Sequence, residues 1–262
     1  MGDAETGVRR DGVVLRLTLD RPGRRNSLTP EMVETLVTAL TAAASDDTLR
    51  AIHLRGAGEH FCAGVDLVSG NTGDAKPRTG SVLRRVPHTA HRVIELLHTV
   101  QLPVVATVRG WAAGMGCNLA LAADFTVAAP GATFWEPFLD RGFSPDSGAT
   151  WLLPRLTGLA RARRMLLLGE RVDGTTAAEW GLIHEVADDP DAAAEALLAR
   201  LAAAPTVAFG LAKQALAQNL HATLPQAMNN ELFALELACR TRDFKEGLAA
   251  FRDRRAPEFE GR

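Results

Sequence analysis

Short apolar runs of strand character alternate with amphipathic helical stretches from about residue 13 to residue 129, and this alternation limits the fold more than any other feature. Val13, Leu15, Leu17 and Leu19 alternate with Val14, Arg16, Thr18 and Asp20, the period-2 pattern of a strand. After the loop RPGRRNSLTP, Thr29 reads as an N-cap, with Pro30 at the first helical position and Glu31 in the first turn. Met32, Val33, Leu36, Val37 and Leu40 form the apolar stripe of that helix. Ile52 and Leu54 mark a second strand, and Val93, Ile94, Leu96 and Leu97 a second helix. The strand PVVATV (103–108), a helix from near Met115 and the strand DFTVAA follow. Such a succession predicts an α/β domain. From about Pro205 onward the pattern is helical with no strand-like run, and residues 68–85, poor in apolar side chains, read as a mobile surface loop.

Composition narrows the function classes. A chain of 262 residues with 47% hydrophobic and 23% charged residues can bury a substantial core. Its net charge of -2 provides no field for nucleic acid or an anionic membrane, and no apolar run is long enough to span a bilayer. Cys62, Cys117 and Cys239 form no CxxC pair, and no His/Cys/Asp cluster has metal-ligand spacing. The polar, acid-bearing N-terminal stretch MGDAETGVRRDG is unlike a signal or transit peptide. A cytoplasmic protein without a metal is the expectation.

Two Gly-rich turns each follow a strand. FCAGVDL places Gly64 before Val65, and GWAAGMGCNLALAAD places Gly114 and Gly116 around Met115 at a helix start. Glycine lets backbone approach a ligand closely, and the first N–H groups of a helix have no internal partner. Neither turn is a P-loop or a dinucleotide fingerprint.

The stretches LDRPGRRNSLT, GEHFCAGVDL, RGWAAGMGCNLALAADF and GFSPDSGATWLLPRLTG occur in that order. They resemble the successive motifs of the crotonase superfamily, the enoyl-CoA hydratase/isomerase family. The later segments GLARARRMLLLGERVDGTTAAEWGLIHEV and EGLAAFRDRRAPEF are similar as well, so the resemblance covers nearly the whole chain. It implies a spiral of repeated ββα units over residues 1–204 and a helical segment, 205–262, that builds trimers or dimers of trimers. It also implies an acyl-CoA thioester as substrate, with coenzyme A part of that substrate and no further cofactor. The backbone N–H groups of Val65 and Met115 would form an oxyanion hole, where one donor is worth about 3 kcal/mol of transition-state stabilisation. Asn26, Ser27, Ala63 and Asp66 match positions that line the CoA site, and Arg24 and Arg25 are candidates for the CoA phosphates.

The departures from the family pattern bear on the reaction. Hydratases of this family use two Glu residues, and the matching positions here are Asn118 and Phe138, neither of which can act as a base. A carboxylate stands elsewhere: Asp146, in Pro-Asp-Ser-Gly, matches the catalytic Asp of certain family isomerases, and its context resembles the epoxyphenylacetyl-CoA isomerases most. The resemblance implies a 1,3-proton transfer by Asp146 on a 3-enoyl-CoA, with Asn118, Phe138, Phe143 and Trp151 around the acyl group. Apolar neighbours Phe138, Phe143 and Trp151 are expected to raise the Asp146 pKa. The bland alternative makes Asp146 a helix cap.

Three further readings stay open. Glu136 or Asp140 would serve in a hydratase with non-standard acids. Asp146 would act as a nucleophile in chemistry like that of the aryl-CoA dehalogenases, with His91 or Trp135 assisting. A chain without the hydratase acids would bind CoA without turnover. His88, His91 and His98 fall on a helix that runs near the acyl pocket in this family, yet each also reads as an ordinary solvated or packed histidine. Trp111, Trp135, Cys62 and Cys117 read as packing residues.

Overall fold

The structure, a computed structural model, describes residues 5–66 and 78–262. A six-stranded sheet runs in the order β1 (Thr6–Asp11), β2 (Val14–Leu19), β3 (Ala51–Gly56), β4 (Val104–Val108), β6 (Phe125–Ala128) and β9 (Glu185–Val186). Among the described residues, the β1/β2 pair is the antiparallel one in this sheet and its other pairs are parallel. A second sheet holds β5 (Trp111–Ala113), β7 (Thr133–Trp135) and β8 (Val172–Asp173). The chain passes repeatedly from the large sheet to the small one and then into a helix. β4 and β5 lead to α4 (Met115–Leu121), and β6 and β7 lead to α5 (Ala149–Leu168). This is the expected spiral of ββα units.

Local sequence explains the elements around the site. α1 (Pro30–Ala43) starts at Thr29, whose side chain accepts from the Met32 N–H at 3.3 Å, and buries Met32, Val33, Leu36 and Leu40. α3 (Ala90–Thr99) buries Val93, Ile94, Leu96 and Leu97. These helices and α4 share the main core with Leu15, Leu17, Leu19, Ile52, Leu54, Val104 and Ala106. On the opposite face of the large sheet, Val14, Ala51, Val105 and Val127 meet Ala194, Leu197, Leu198 and Leu201 of α7 (Pro190–Ala202).

Several expectations are corrected. β1 carries no apolar alternation and forms as an exposed edge, paired with β2 through the turn at Gly12. Val13 is exposed and precedes β2, so Val14 joins Leu15, Leu17 and Leu19 as a buried residue. Of the loop expected over 68–85, residues 68–77 lie outside the described residues, and Ser81–Arg85 form a short helix, α2.

Helices fill the C-terminal part: α8 (Thr206–Asn219), α9 (Leu224–Ala238) and α10 (Arg242–Asp253), after α6 (Gly174–Glu179) and α7. Lys213 of α8 reaches into the core, donating to Asp124 Oδ2 at 2.7 Å and to the carbonyl oxygen of Leu97 at 3.1 Å. Among the described residues no single helix is long and apolar enough to cross a membrane.

Candidate active site

The two Gly-rich turns pack directly on each other. Cys62 N–H donates to Trp111 O at 2.8 Å, Ala113 N–H to Cys62 O at 2.9 Å, and Gly114 N–H to Trp135 O at 2.8 Å. A Cβ on Gly64, whose φ is +90°, would lie 2.8 Å from Ala113 O and 3.8 Å from Met115 N. A Cβ on Gly116 would lie 2.4 Å from Cys62 O. Glycine is therefore required at both positions for the backbones to approach. Leu28 N–H donates to Gly64 O and Asp66 N–H to Leu28 O, so the N–H of Val65 takes no part in that bridge. Met115 is the first residue of α4, whose first helical bond is Asn118 N–H to Gly114 O. The N–H groups of Val65 and Met115 accordingly have no partner among the described residues. The Val65 side chain is exposed and that of Met115 is buried.

The turn carrying Asp146 sits beside α4 and α3. Ser147 and Gly148 are both left-handed, with φ of 55° and 83°. Gly148 is the N-cap of α5 and no side chain caps that helix, so the cap reading of Asp146 fails. Asn118 donates its Nδ2 to Asp146 O at 3.3 Å, which ties the acid turn to the helix that starts at Met115. The Asp146 carboxylate itself meets His91: Oδ1 and Nε2 are 2.6 Å apart, with the two side chains 45% and 44% exposed. His91, Ile94 and His98 lie at i, i+3 and i+7 on one face of α3. His91 meets Asp146, Ile94 comes within 3.4 Å of the Gly148 Cβ position, and His98 stacks edge-on against Trp151 with centroids 5.0 Å apart. Spacing on α3 was the available signal for this face, but the position of its partners was not readable from it.

The expected desolvation of Asp146 by aromatic neighbours is not found. Phe138 is buried against Phe143, with ring centroids 5.5 Å apart, Trp151 packs on His98, and the carboxylate stays half exposed. His88 is exposed on a 3-10 turn.

Glu136 follows β7 and is completely buried, its carboxyl against the Cys117 thiol. Burial pushes its pKa well above the usual carboxylate range, so it is held neutral. Cys117 and Asn118 are successive residues of a helix and point about 100° apart. Glu136 thus abuts one face of α4 and Asp146 another. Asp140 lies in an exposed 3-10 turn, its carboxylate 3.1 Å from the Cβ position of Gly169. Trp135 gives its indole N–H to Gly169 O at 3.0 Å and stacks with Trp111 beneath Arg171. Burial raises the Cys62 thiol to about 12, which leaves it inert as a nucleophile.

The loop expected at the CoA site is held together by two residues. Asn26, fully buried, accepts from Arg21 N–H at 2.8 Å and donates to Ala57 O at 2.9 Å and His60 O at 2.6 Å. Its amide therefore joins two loops, and it does not present a free side chain to a ligand. Arg21, which the sequence reading passed over, binds Asp66 Oδ2 at 2.8 Å and Ser27 Oγ at 3.2 Å. Ala63 N–H donates to Arg25 O at 2.9 Å. The side chains of Arg24 and Arg25 are exposed and make no ion pair among the described residues. A polar cleft of about 330 Å³, lined by Arg55, His60, Arg109, Asp20 and Asp191, contains none of Asp146, Val65 and Met115. Among the described residues no group of three His, Cys, Asp or Glu side chains is placed to hold a metal ion.

Residues 9–262 match the family model described as Enoyl-CoA hydratase/isomerase. The chain is 41% identical over 254 residues to a 1,2-epoxyphenylacetyl-CoA isomerase of Escherichia coli, covering 95% of each. It is 40% identical over 248 residues to a probable enoyl-CoA hydratase of Rhodobacter capsulatus, covering 94% of each. The crystal structure of an enoyl-CoA hydratase from Bacillus anthracis superposes with a TM-score of 0.91 at 30% identity, covering 98% of this chain and 100% of the other. This chain belongs to the enoyl-CoA hydratase/isomerase family.

Proposed function

We propose that the protein is an enoyl-CoA isomerase that shifts a double bond by 1,3-proton transfer. The Val65 and Met115 N–H groups would hold the thioester oxygen as it becomes an enolate, and Asp146 would carry the proton from C2 to C4. The supporting observation is the bond from Asn118 Nδ2 to Asp146 O, because it ties the half-exposed carboxylate to the helix whose first residue is Met115. One carboxylate suffices for a proton that leaves and returns on the same molecule, whereas water addition calls for two acid–base groups. Asn118 and Phe138 stand where the hydratase acids would be, and Glu136 abuts a different face of α4. Arg24 and Arg25 would meet the CoA phosphates at the loop that Asn26 and Arg21 brace, with Ser27, Ala63 and Asp66 beside them. The C-terminal helices would assemble the protein into trimers or dimers of trimers.

The reaction is tested by following wild-type protein on two substrates. Conversion of 3-hexenoyl-CoA to its conjugated isomer, with little hydration of crotonyl-CoA, is expected. Hydration of crotonyl-CoA as the faster reaction would overturn the reading.

A further inference from the structure

The geometry points to His91 as the positioning residue for Asp146, an inference that rests on the isomerase reading and deepens it. Asp146 is followed by two consecutive left-handed residues, Ser147 and Gly148, and its carboxylate is half exposed. Left alone, such a side chain samples several rotamers. A 1,3-transfer does not tolerate that freedom, because one oxygen must reach two carbons separated by a third while the enolate is held still. His91 supplies the missing restraint from α3, 55 residues earlier in the chain.

The bond also settles the roles of the two oxygens. Asp146, as the base, is ionised and can only accept, so His91 Nε2 carries the hydrogen and donates it to Oδ1. Oδ2 is then the atom left to take and return the substrate proton. The backbone of the same residue is held from the other side by Asn118 Nδ2. Asp146 is therefore fixed at its main chain by α4 and at its side chain by α3. His91 touches no substrate atom in this arrangement and acts only through Asp146.

Because His91 is itself half exposed, replacing it leaves the core intact, and circular dichroism and the melting temperature of each variant check that directly. The test measures kcat and KM on 3-hexenoyl-CoA for wild type, His91→Leu, His91→Gln and Asp146→Asn. A Gln amide can place a donor near the position of Nε2, whereas Leu cannot. His91→Leu should lower kcat about 10- to 100-fold with KM changed less than threefold, and His91→Gln should recover most of the loss. A kcat within twofold of wild type in His91→Leu would overturn the inference, as would a loss carried by KM. Release of CoA from 3-hexenoyl-CoA with an acyl anhydride of Asp146 accumulating in His91→Leu, seen by mass spectrometry, would also overturn it, because Asp146 would then attack the thioester carbonyl as a nucleophile and His91 would activate the water that clears the anhydride. If Asp146→Asn keeps full activity, the isomerase reading itself fails. If Asp146→Asn is inactive while His91→Leu is unaffected, only the positioning role fails.

Discussion

Glu136 shows how one buried group leaves a measurable trace. In the unfolded chain this carboxyl ionises above about 4.5, its ordinary value, while burial beside Cys117 keeps it protonated in the folded protein. Unfolding therefore releases a proton at pH values above about 4.5 and below the raised folded pKa, and the folded state loses stability as pH rises through that window, by up to about 1.4 kcal/mol per pH unit. Glu136→Gln removes the titration. Urea unfolding of both proteins at several pH values from 5.5 to 8 should show the variant gaining on wild type as pH rises, and a constant difference would contradict the account. Asn26 gives a second residue-scale test. Truncation to Ala strips three partners of their bonds, so Asn26→Ala should cost about 2–4 kcal/mol in the same assay. A cost under 1 kcal/mol would mean that the loops hold without it.

At the scale of elements, the motifs that were legible are those whose demands are local. The parallel strands around Ile52, Leu54 and PVVATV are buried apolar runs, and Thr29-Pro30 announces a helix start through capping chemistry alone. Gly64 and Gly116 were readable because only glycine permits those backbones to approach, and Gly114 because its φ of +52° favours glycine. What could not be read depends on pairing across the chain. The three-residue strands β5 and β7 are too short to show a period, and β1 is a polar edge that takes its register from β2. The site divides the same way. Asp146 was a candidate from its turn, but its contact with His91 and the solvent on its carboxylate are products of how α3 packs. Gly116→Val tests the approach of the two turns. The added Cβ would collide with Cys62 O, which is backbone and cannot give way, so stability should fall by about 1–3 kcal/mol and turnover should fall with it. Wild-type turnover in that variant would show that the two turns need not touch.

The whole molecule exposes a surface that a lone chain does not explain. α9 has no buried residue, and Leu224, Met228, Leu232 and Leu235 on it are each more than half exposed. An apolar stripe of that kind is expected to be covered by another surface. Assembly into trimers predicts a light-scattering mass near three times 28.0 kDa, or twice that value for a dimer of trimers. Glu at both Met228 and Leu232 should shift the population toward monomer. A wild-type monomer at micromolar concentration would contradict the assembly, and would leave the role of the C-terminal helices to packing through Lys213.

The most direct test of the whole account is the rate of Asp146→Asn on 3-hexenoyl-CoA beside wild type. Asn keeps the shape of the side chain and the main-chain carbonyl that Asn118 holds, but it cannot accept a proton. With Asp146 as the proton carrier, kcat should fall about a hundred- to ten-thousand-fold in a folded protein that still binds CoA. Undiminished isomerisation by Asp146→Asn would contradict that role.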